Sequence, residues 1–116
     1  MMNEIMAQFR SDVDFISVYT TEAHPVGGWE APDQPNLVAD ATTTAERMAA
    51  ARAWFDKTKL SGKLAVDGID NEAQFTYDTM PDRIFVVQQG KVLYMQEKGP
   101  FGYLPDKLAA FLQKMK

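Results

Sequence analysis

A carboxylate and an imidazole lie two residues apart in the segment Thr20–Trp29, as Glu22 and His24. His24 is the single histidine of the chain, and the segment directly follows Val13–Tyr19, a run of β-branched and aromatic residues that predicts a strand. Open α/β sheets bind ligands beyond the carboxyl ends of their strands, so this position favours a ligand site. An imidazole of ordinary pKa, about 6.5, can transfer protons near neutral pH, and the neighbouring carboxylate can orient it. Trp29 would add an apolar wall.

Each of these side chains also has a plain structural interpretation. A lone histidine in a loop is more often structural or solvent-exposed than functional. Glu22 can be an exposed acid, and Trp29 can simply cover the loop that the glycine pair before it turns. The sequence leaves both interpretations open.

The chain contains no cysteine, and this absence limits the chemistry that it can perform alone. Thiolate nucleophiles, disulfide exchange and thiolate metal ligands are excluded. The acidic residues show no calcium-loop spacing and there is no second histidine, so we expect no metal site. No phosphate-binding glycine loop, serine elbow or nucleotide motif occurs, so we expect no cofactor. The residues alone therefore predict no catalytic group.

Composition predicts a small globular protein. The 116 residues are 46% hydrophobic and 24% charged, and this length predicts one domain over residues 1–116. A net charge of -4 argues against a nucleic-acid partner. No basic cluster, no membrane-spanning apolar stretch and no secretion signal are visible, so we expect no membrane association and a cytoplasmic protein.

Hydrophobic periodicity predicts eight elements. The predicted helices cover residues 2–10, 43–59, 71–78 and the segment from Pro105 onward, and the predicted strands cover residues 13–19, 63–67, 83–88 and 91–95. Thr43 and Glu46 have the spacing of a capping box at the start of the second helix. We expect that helix to bury Met48, Ala51, Trp54 and Phe55, and the last helix to bury Leu108, Phe111, Leu112 and Met115. We expect four aromatic residues in the core or on a sheet face, namely Phe75, Tyr77, Phe85 and Tyr94.

The element order predicts a thioredoxin-like α/β sandwich. Two early strands separated by a helix imply a right-handed parallel crossover. The late pair of strands, joined at Gln89-Gly90, adds an antiparallel hairpin. Helices would then cover both faces of a mixed sheet in three layers.

The motifs of the chain closely resemble those of the iodothyronine deiodinases. The most specific match runs from Asp12–Ile16 through Glu22-Ala23-His24-Pro25 to Gly28-Trp29. Further matches cover nearly the whole chain in order: Glu46-Arg47, Ala50-Ala51-Arg52, Val66-Asp67, Pro81–Ile84, Gln88, Gly90, Gly99-Pro100 and Gly102-Tyr103. The resemblance implies a thioredoxin-like fold related to the peroxiredoxins. It also implies reductive removal of iodine from thyroid hormone by a selenocysteine that follows the first core strand.

The resemblance assigns roles to some residues and leaves others without a counterpart. Glu22 and His24 match residues that line the hormone site. Lys98 falls where the family has a basic residue that clamps substrate, usually an arginine, although a lysine lacks the planar guanidinium fork. Arg83 matches an arginine near the thiolate of peroxide-reducing relatives and could bind an anion, but we prefer a salt bridge to Asp82 or Asp67. The first core strand and the catalytic turn have no counterpart in this chain.

Three functional hypotheses follow. The first is a deiodinase-related protein without a redox nucleophile, which binds a small aromatic or anionic ligand in a cleft; its candidate lining is Glu22, His24, Trp29, Arg83 and Lys98. The alternative is a truncated form of an active deiodinase or peroxiredoxin-like oxidoreductase whose nucleophile lies upstream of Met1. The third is an interaction module that assembles through its sheet.

The missing core strand also bears on oligomeric state. Without it, the predicted strands 13–19 and 83–88 would have unpaired backbone groups. They could pair directly with one another, or a second copy of the chain could cover the gap. We favour the homodimer.

We expect a trans Met80-Pro81 bond, because cis is the minority state of any bond to proline.

Overall fold

The structure is a computed structural model that describes residues 1–22, 40–99 and 101–115. Helices and strands follow one another over these residues as α1 (Met2–Phe9), β1 (Ile16–Tyr19), α2 (Thr44–Thr58), β2 (Lys63–Val66), α3 (Glu72–Tyr77), β3 (Phe85–Gln88), β4 (Lys91–Met95) and α4 (Pro105–Met115). Every predicted element is present, and the chain is a mixed α/β protein. The first strand is shorter than predicted, because it begins at Ile16 and not at Val13.

The chain divides into two compact units, and each has its own packing. The central unit is Phe15–Tyr77, and the terminal unit combines Met1–Asp14 with Asp78–Lys116. The expectation of a single domain over residues 1–116 stays a prediction.

A parallel strand pair forms the centre of the central unit. β1 pairs with β2 in a register that runs from Ile16 opposite Lys63 to Tyr19 opposite Val66, and α2 connects the two strands. The parallel arrangement of these two strands is therefore confirmed. Gly62 allows the close approach at the start of β2, because it has a φ of 86° and a Cβ there would lie 2.6 Å from the carbonyl oxygen of Phe15.

The second helix begins where the sequence predicts. The Thr43 hydroxyl accepts a hydrogen bond from the Glu46 N–H at 3.1 Å. The Glu46 carboxylate accepts from the N–H of Thr42 at 3.0 Å, one residue earlier than in the standard capping box. The helix ends at Thr58, and Lys59 follows in the left-handed conformation with a φ of 53°.

The buried face of α2 differs from the prediction. Arg47 and Ala51 are its buried residues, whereas the Met48 side chain is 56% exposed. Trp54 is also exposed, although its ring lies 5.7 Å from the ring of Tyr19. Arg47 replaces an apolar side chain in the interior because its guanidinium reaches main-chain carbonyl groups, as described below.

The terminal unit combines a hairpin with a pair of helices. β3 and β4 are antiparallel, and both turn residues, Gln89 and Gly90, have positive φ, as tight hairpin turns require. Tyr94 stacks on Phe111 with ring centroids 4.5 Å apart. The core formed by α1 and α4 consists of Ile5, Met6, Phe9, Leu108 and Leu112.

Four expectations about individual residues need correction. Phe75 and Tyr77 are exposed, because the six-residue helix α3 buries none of its side chains. Met115 is exposed at the end of α4. The Met80-Pro81 bond is cis, a state that the tertiary amide makes accessible.

Two further observations concern the sheets and the helices. Within the parts of the chain that the structure describes, β1 pairs with β2 and β3 pairs with β4. None of the helices in these parts has the length and hydropathy needed to cross a membrane.

Candidate functional site

The predicted site residues fall in three places. Glu22 lies in the central unit, three residues beyond the end of β1. Arg83 and Lys98 lie in the terminal unit, on either side of its hairpin. His24 and Trp29 lie outside the described residues. Glu22 therefore belongs to one unit, and Arg83 and Lys98 belong to the other.

The Glu22 carboxyl is half-buried and incompletely hydrogen-bonded. Its Oε1 atom is buried and has no hydrogen-bond partner within residues 1–22, 40–99 and 101–115. Its own N–H donates to Oδ1 of Asp40 at a long 3.4 Å. Burial raises the pKa of Glu22 and the nearby Asp40 carboxylate raises it further, whereas the Arg47 guanidinium lowers it. Glu22 consequently retains its proton to a higher pH than a solvent-exposed glutamate does.

Arg47 places a buried positive charge in this region. Its side chain is 1% exposed, and Nη1 donates to the carbonyl of Gly68 at 2.6 Å and to that of Asp67 at 3.4 Å. Its Nε is buried and lacks an acceptor among the residues that the structure describes. The helical pattern of α2 gave no signal for this role. The match of Glu46-Arg47 to the deiodinase motifs was the one sequence feature that could have drawn attention to it.

A second set of hydrogen bonds fixes the residue that precedes Glu22. Gln74 Oε1 accepts from the N–H of Thr21 at 3.3 Å and also from the Thr21 hydroxyl. The Asp67 carboxylate accepts from the N–H groups of Ala73 at 3.0 Å and Gln74 at 2.9 Å, at the start of α3. The sequence indicated neither contact, since Thr21 and Gln74 are 53 residues apart.

The two predicted site residues of the terminal unit, Arg83 and Lys98, both contact Asp78. Lys98 Nζ forms an ion pair with Asp78 Oδ2 at 3.1 Å. Arg83 donates from Nη1 to the Asp78 carbonyl at 3.3 Å and from Nε to the Gln96 carbonyl at 2.7 Å. Its guanidinium carbon also lies 5.2 Å from the centre of the Phe85 ring. An anion that binds Lys98 would have to compete with the carboxylate of Asp78.

The loop beside this cluster contains an acidic residue with a raised pKa, Asp82. Burial raises the pKa of Asp82, although a hydrogen bond from the N–H of Gly99 lowers it. Burial also raises the pKa of Tyr103, and the Asp82 carboxylate adds to that effect. A Cβ at Gly99 would collide with the Asp82 carboxylate, so a larger residue there would require the Asp82 side chain to move.

An open groove of about 540 Å³ lies in the central unit between α2 and β2. Its volume is within the usual range for small-ligand pockets. Of the three predicted site residues that the structure describes, Glu22, Arg83 and Lys98, none lines it. The described lining residues are Thr44, Met48, Ala49, Arg52, Leu64 and Val66. No group of three or more acidic or histidine side chains suited to a metal ion occurs in the described ranges.

Comparison with known proteins gives one consistent result. The family profile described as iodothyronine deiodinase matches residues 1–116. The thyroxine 5-deiodinase of Homo sapiens is 29% identical over 110 residues, which cover 95% of this chain and 36% of that protein. The type I iodothyronine deiodinase of Xenopus laevis is 28% identical over 98% of this chain and 44% of its own length. The type II iodothyronine deiodinase of Mus musculus is 33% identical over 96% and 44%.

The chain matches less than half of the length of each of these relatives. The chain spans between 36% and 44% of the length of these relatives. More than half of each relative therefore lies outside the matched region.

Proposed function

The chain belongs to the iodothyronine deiodinase family, and on this premise we propose that it forms a ligand-binding part of a deiodinase-type site in which the Glu22 carboxyl is a polar contact. The observation that carries the proposal is the buried Oε1 of Glu22, which has no partner within the described residues. A buried polar atom without a hydrogen bond costs about 1–3 kcal/mol, and a ligand hydroxyl would remove that cost. His24, Trp29, Arg83 and Lys98 stay predicted contacts.

The ligand class follows from the chemistry of the carboxyl. The raised pKa of Glu22 means that its carboxyl keeps its proton to a higher pH than an exposed glutamate does, and each protonation state has its own hydrogen-bonding role. The protonated carboxyl donates a hydrogen bond to a phenolate, and the ionised carboxylate accepts one from a phenol. A small aromatic ligand with a hydroxyl group fits both states. Thyroxine, which the name of the human relative mentions, belongs to this class.

A binding measurement tests the role of Glu22. We expect isothermal titration calorimetry to show thyroxine binding by the 116-residue chain. Glu22→Ala should weaken it about tenfold, which corresponds to about 1.4 kcal/mol. Glu72→Ala is the matched control, because Glu72 is an exposed acid on α3 in the same unit. Equal affinities for the wild type and the Glu22 variant would refute the proposed contact.

We propose that these 116 residues bind the ligand without reducing it. Reductive removal of a halogen needs a soft nucleophile that ionises near neutral pH, and the chain has no cysteine. The expected result is no iodide release from thyroxine in the presence of a dithiol. Iodide release that is abolished by His24→Ala would contradict this proposal.

The second candidate is an active oxidoreductase to which this chain contributes the binding groups. The alignment to 36–44% of the relatives supports it, since the nucleophile could come from residues that precede Met1. The DNA upstream of Met1 distinguishes the two candidates. An in-frame strand-forming segment followed by a cysteine codon or a UGA codon would establish the active enzyme.

We also propose a thioredoxin-like arrangement and a homodimer. Support for the arrangement comes from family membership, the parallel pair β1–β2 and the hairpin that precedes α4.

Support for the dimer comes from the apolar side chains Ile16 and Val18, which are 60% and 50% exposed on one face of β1. Light scattering at micromolar concentration should give twice the mass of the chain. A stable monomer would reject the dimer.

A further inference from the structure

We propose that Gln74 is a positioning residue, which holds the Glu22 carboxyl in place through its two hydrogen bonds to Thr21. The functional meaning of this inference rests on the proposed role of Glu22 in ligand binding. The geometric part of the inference does not need a ligand.

Gln74 is hydrogen-bonded to Thr21, the residue that precedes Glu22. A single acceptor atom, Gln74 Oε1, receives both the N–H and the hydroxyl of Thr21. Both residues are half-buried, so water competes less effectively for these bonds than it would at an exposed site. Two donors from one residue fix both its backbone and its side chain, and this sets the direction in which the chain leaves β1 toward Glu22.

Gln74 is itself held in place by the Asp67 carboxylate. Its N–H donates to Oδ2 of Asp67 at 2.9 Å, and the N–H of Ala73 donates to Oδ1 of the same carboxylate at 3.0 Å. Asp67 is only 5% exposed, and its own N–H donates to the carbonyl of Tyr19 at 2.8 Å. These bonds join the end of β1, the end of β2 and the start of α3 in one network.

Helix α2 also holds the segment that contains Asp67, through Arg47. Nη1 of Arg47 donates to the carbonyl groups of Asp67 and Gly68, so the segment after β2 is held from the helix as well as from the strand. By contrast, the N–H of Glu22 bonds to Asp40 at 3.4 Å, near the limit of a hydrogen bond. The network on the Thr21 side therefore provides the firmer attachment for Glu22.

The protonation of Glu22 gives a readout of this attachment. Burial is the largest cause of its raised pKa, and the charged groups that act on it are Asp40, which raises it, and Arg47, which lowers it. Without the bonds to Gln74, the carboxyl would turn toward water and lose the burial effect. The pKa of Glu22 should then fall toward the ordinary value of a glutamate.

The experiment is an NMR titration of the side-chain carboxyl carbon of Glu22 in the ligand-free 116-residue chain. Gln74→Met removes the acceptor at similar volume, and Thr21→Val removes the hydroxyl. We expect the pKa of Glu22 to be elevated in the wild type and lowered in both variants. Thr21→Ser keeps the hydroxyl and should preserve the elevation. Thr76→Val is the matched control, because Thr76 is exposed on the same helix.

An unchanged Glu22 titration in folded Gln74→Met and Thr21→Val would overturn the inference. If Gln74→Met does not fold, the comparison of Thr21→Val with Thr21→Ser decides the question. Failure of the proposed function gives a different result. Thyroxine would then bind equally to the wild type and to Glu22→Ala, while the Glu22 titration would still depend on Gln74.

Discussion

Two charged clusters of this protein contain similar residue types in different surroundings. In the central unit, Arg47 and Asp67 are 1% and 5% exposed and bond mainly to backbone groups. In the terminal unit, the side chains of Lys98 and Asp78 are 44% and 68% exposed and pair with each other. Buried charges require hydrogen-bond partners, so the central cluster fixes the chain around it. An exposed ion pair contributes little and can exchange partners.

The comparison predicts where substitutions will act. Changes in the central cluster should lower stability and alter the surroundings of Glu22. Changes in the terminal cluster should leave the fold almost unaffected and alter the response to salt. The following variants test this difference in order of decreasing expected effect.

Arg47→Met should give the largest effect. It leaves the carbonyl groups of Asp67 and Gly68 without their charged donor, and a hydrogen bond to a charged group contributes about 1.5–3 kcal/mol. We expect urea unfolding to show a loss of free energy of unfolding within that range. Arg52→Met, at an exposed position of the same helix, should cost less than about 0.5 kcal/mol. Equal losses for the two variants would remove the distinction between buried and exposed arginines.

Asp67→Ala should destabilise the protein by about 1–2 kcal/mol, since two N–H groups at the start of α3 lose their acceptor. Asp70→Ala provides the comparison. Asp70 is exposed and accepts one N–H, from Glu72 at 3.2 Å, so its loss should be smaller. The interpretation fails if Asp70→Ala costs as much as Asp67→Ala in urea unfolding.

Glu22 and Glu46 should make opposite contributions to the pH dependence of stability. The raised pKa of Glu22 means that the folded state binds its proton more tightly, so this contribution is complete below the unfolded pKa and is lost as pH rises through the folded pKa. Hydrogen bonds from Thr42 lower the pKa of Glu46, so its contribution is present above the unfolded pKa and is lost as pH falls through the folded one.

Urea unfolding between about pH 3 and about pH 7 measures both contributions, because this range includes the usual glutamate pKa. Relative to the wild type, Glu22→Gln should become more stable as pH rises. Glu46→Gln should become less stable over the same range. Differences of the same sign for the two variants would contradict the assigned surroundings of these carboxyl groups.

The Lys98–Asp78 pair should give the smallest effect. A double-mutant cycle with Lys98→Met and Asp78→Asn should yield a coupling energy below about 0.5 kcal/mol. The coupling should vanish at about 1 M salt, where the screening length is about 3 Å. A larger, salt-independent coupling would show that this pair is as constrained as the central cluster.

Local patterns predicted the elements well, because helix caps and strand alternation depend on neighbouring residues. Thr43 was identified as the cap of α2 from its own sequence context, and the structure confirms it. Arg47 was missed because helical periodicity assigns apolar side chains to the interior and does not detect carbonyl partners 20 and 21 residues away. Phe75 was wrongly expected to be covered, since aromatic character does not reveal what packs on a short helix.

The candidate site was predicted only in part for the same reason. The sequence singled out Glu22 from its place after a strand and from its motif. It did not reveal the bond between Thr21 and Gln74, because the two residues are 53 positions apart and neither belongs to a recognisable motif. The effects of Asp40 and Arg47 on Glu22 likewise depend on the folding of distant segments.

The most direct test of the account is a double-mutant cycle on thyroxine binding with Glu22→Ala and Gln74→Met. If Gln74 acts by positioning the Glu22 carboxyl, each single variant should weaken binding about tenfold, and the double variant should bind no more weakly than either one. If the two losses add, or if all variants bind as the wild type does, Gln74 does not act through Glu22 and the central claim is wrong.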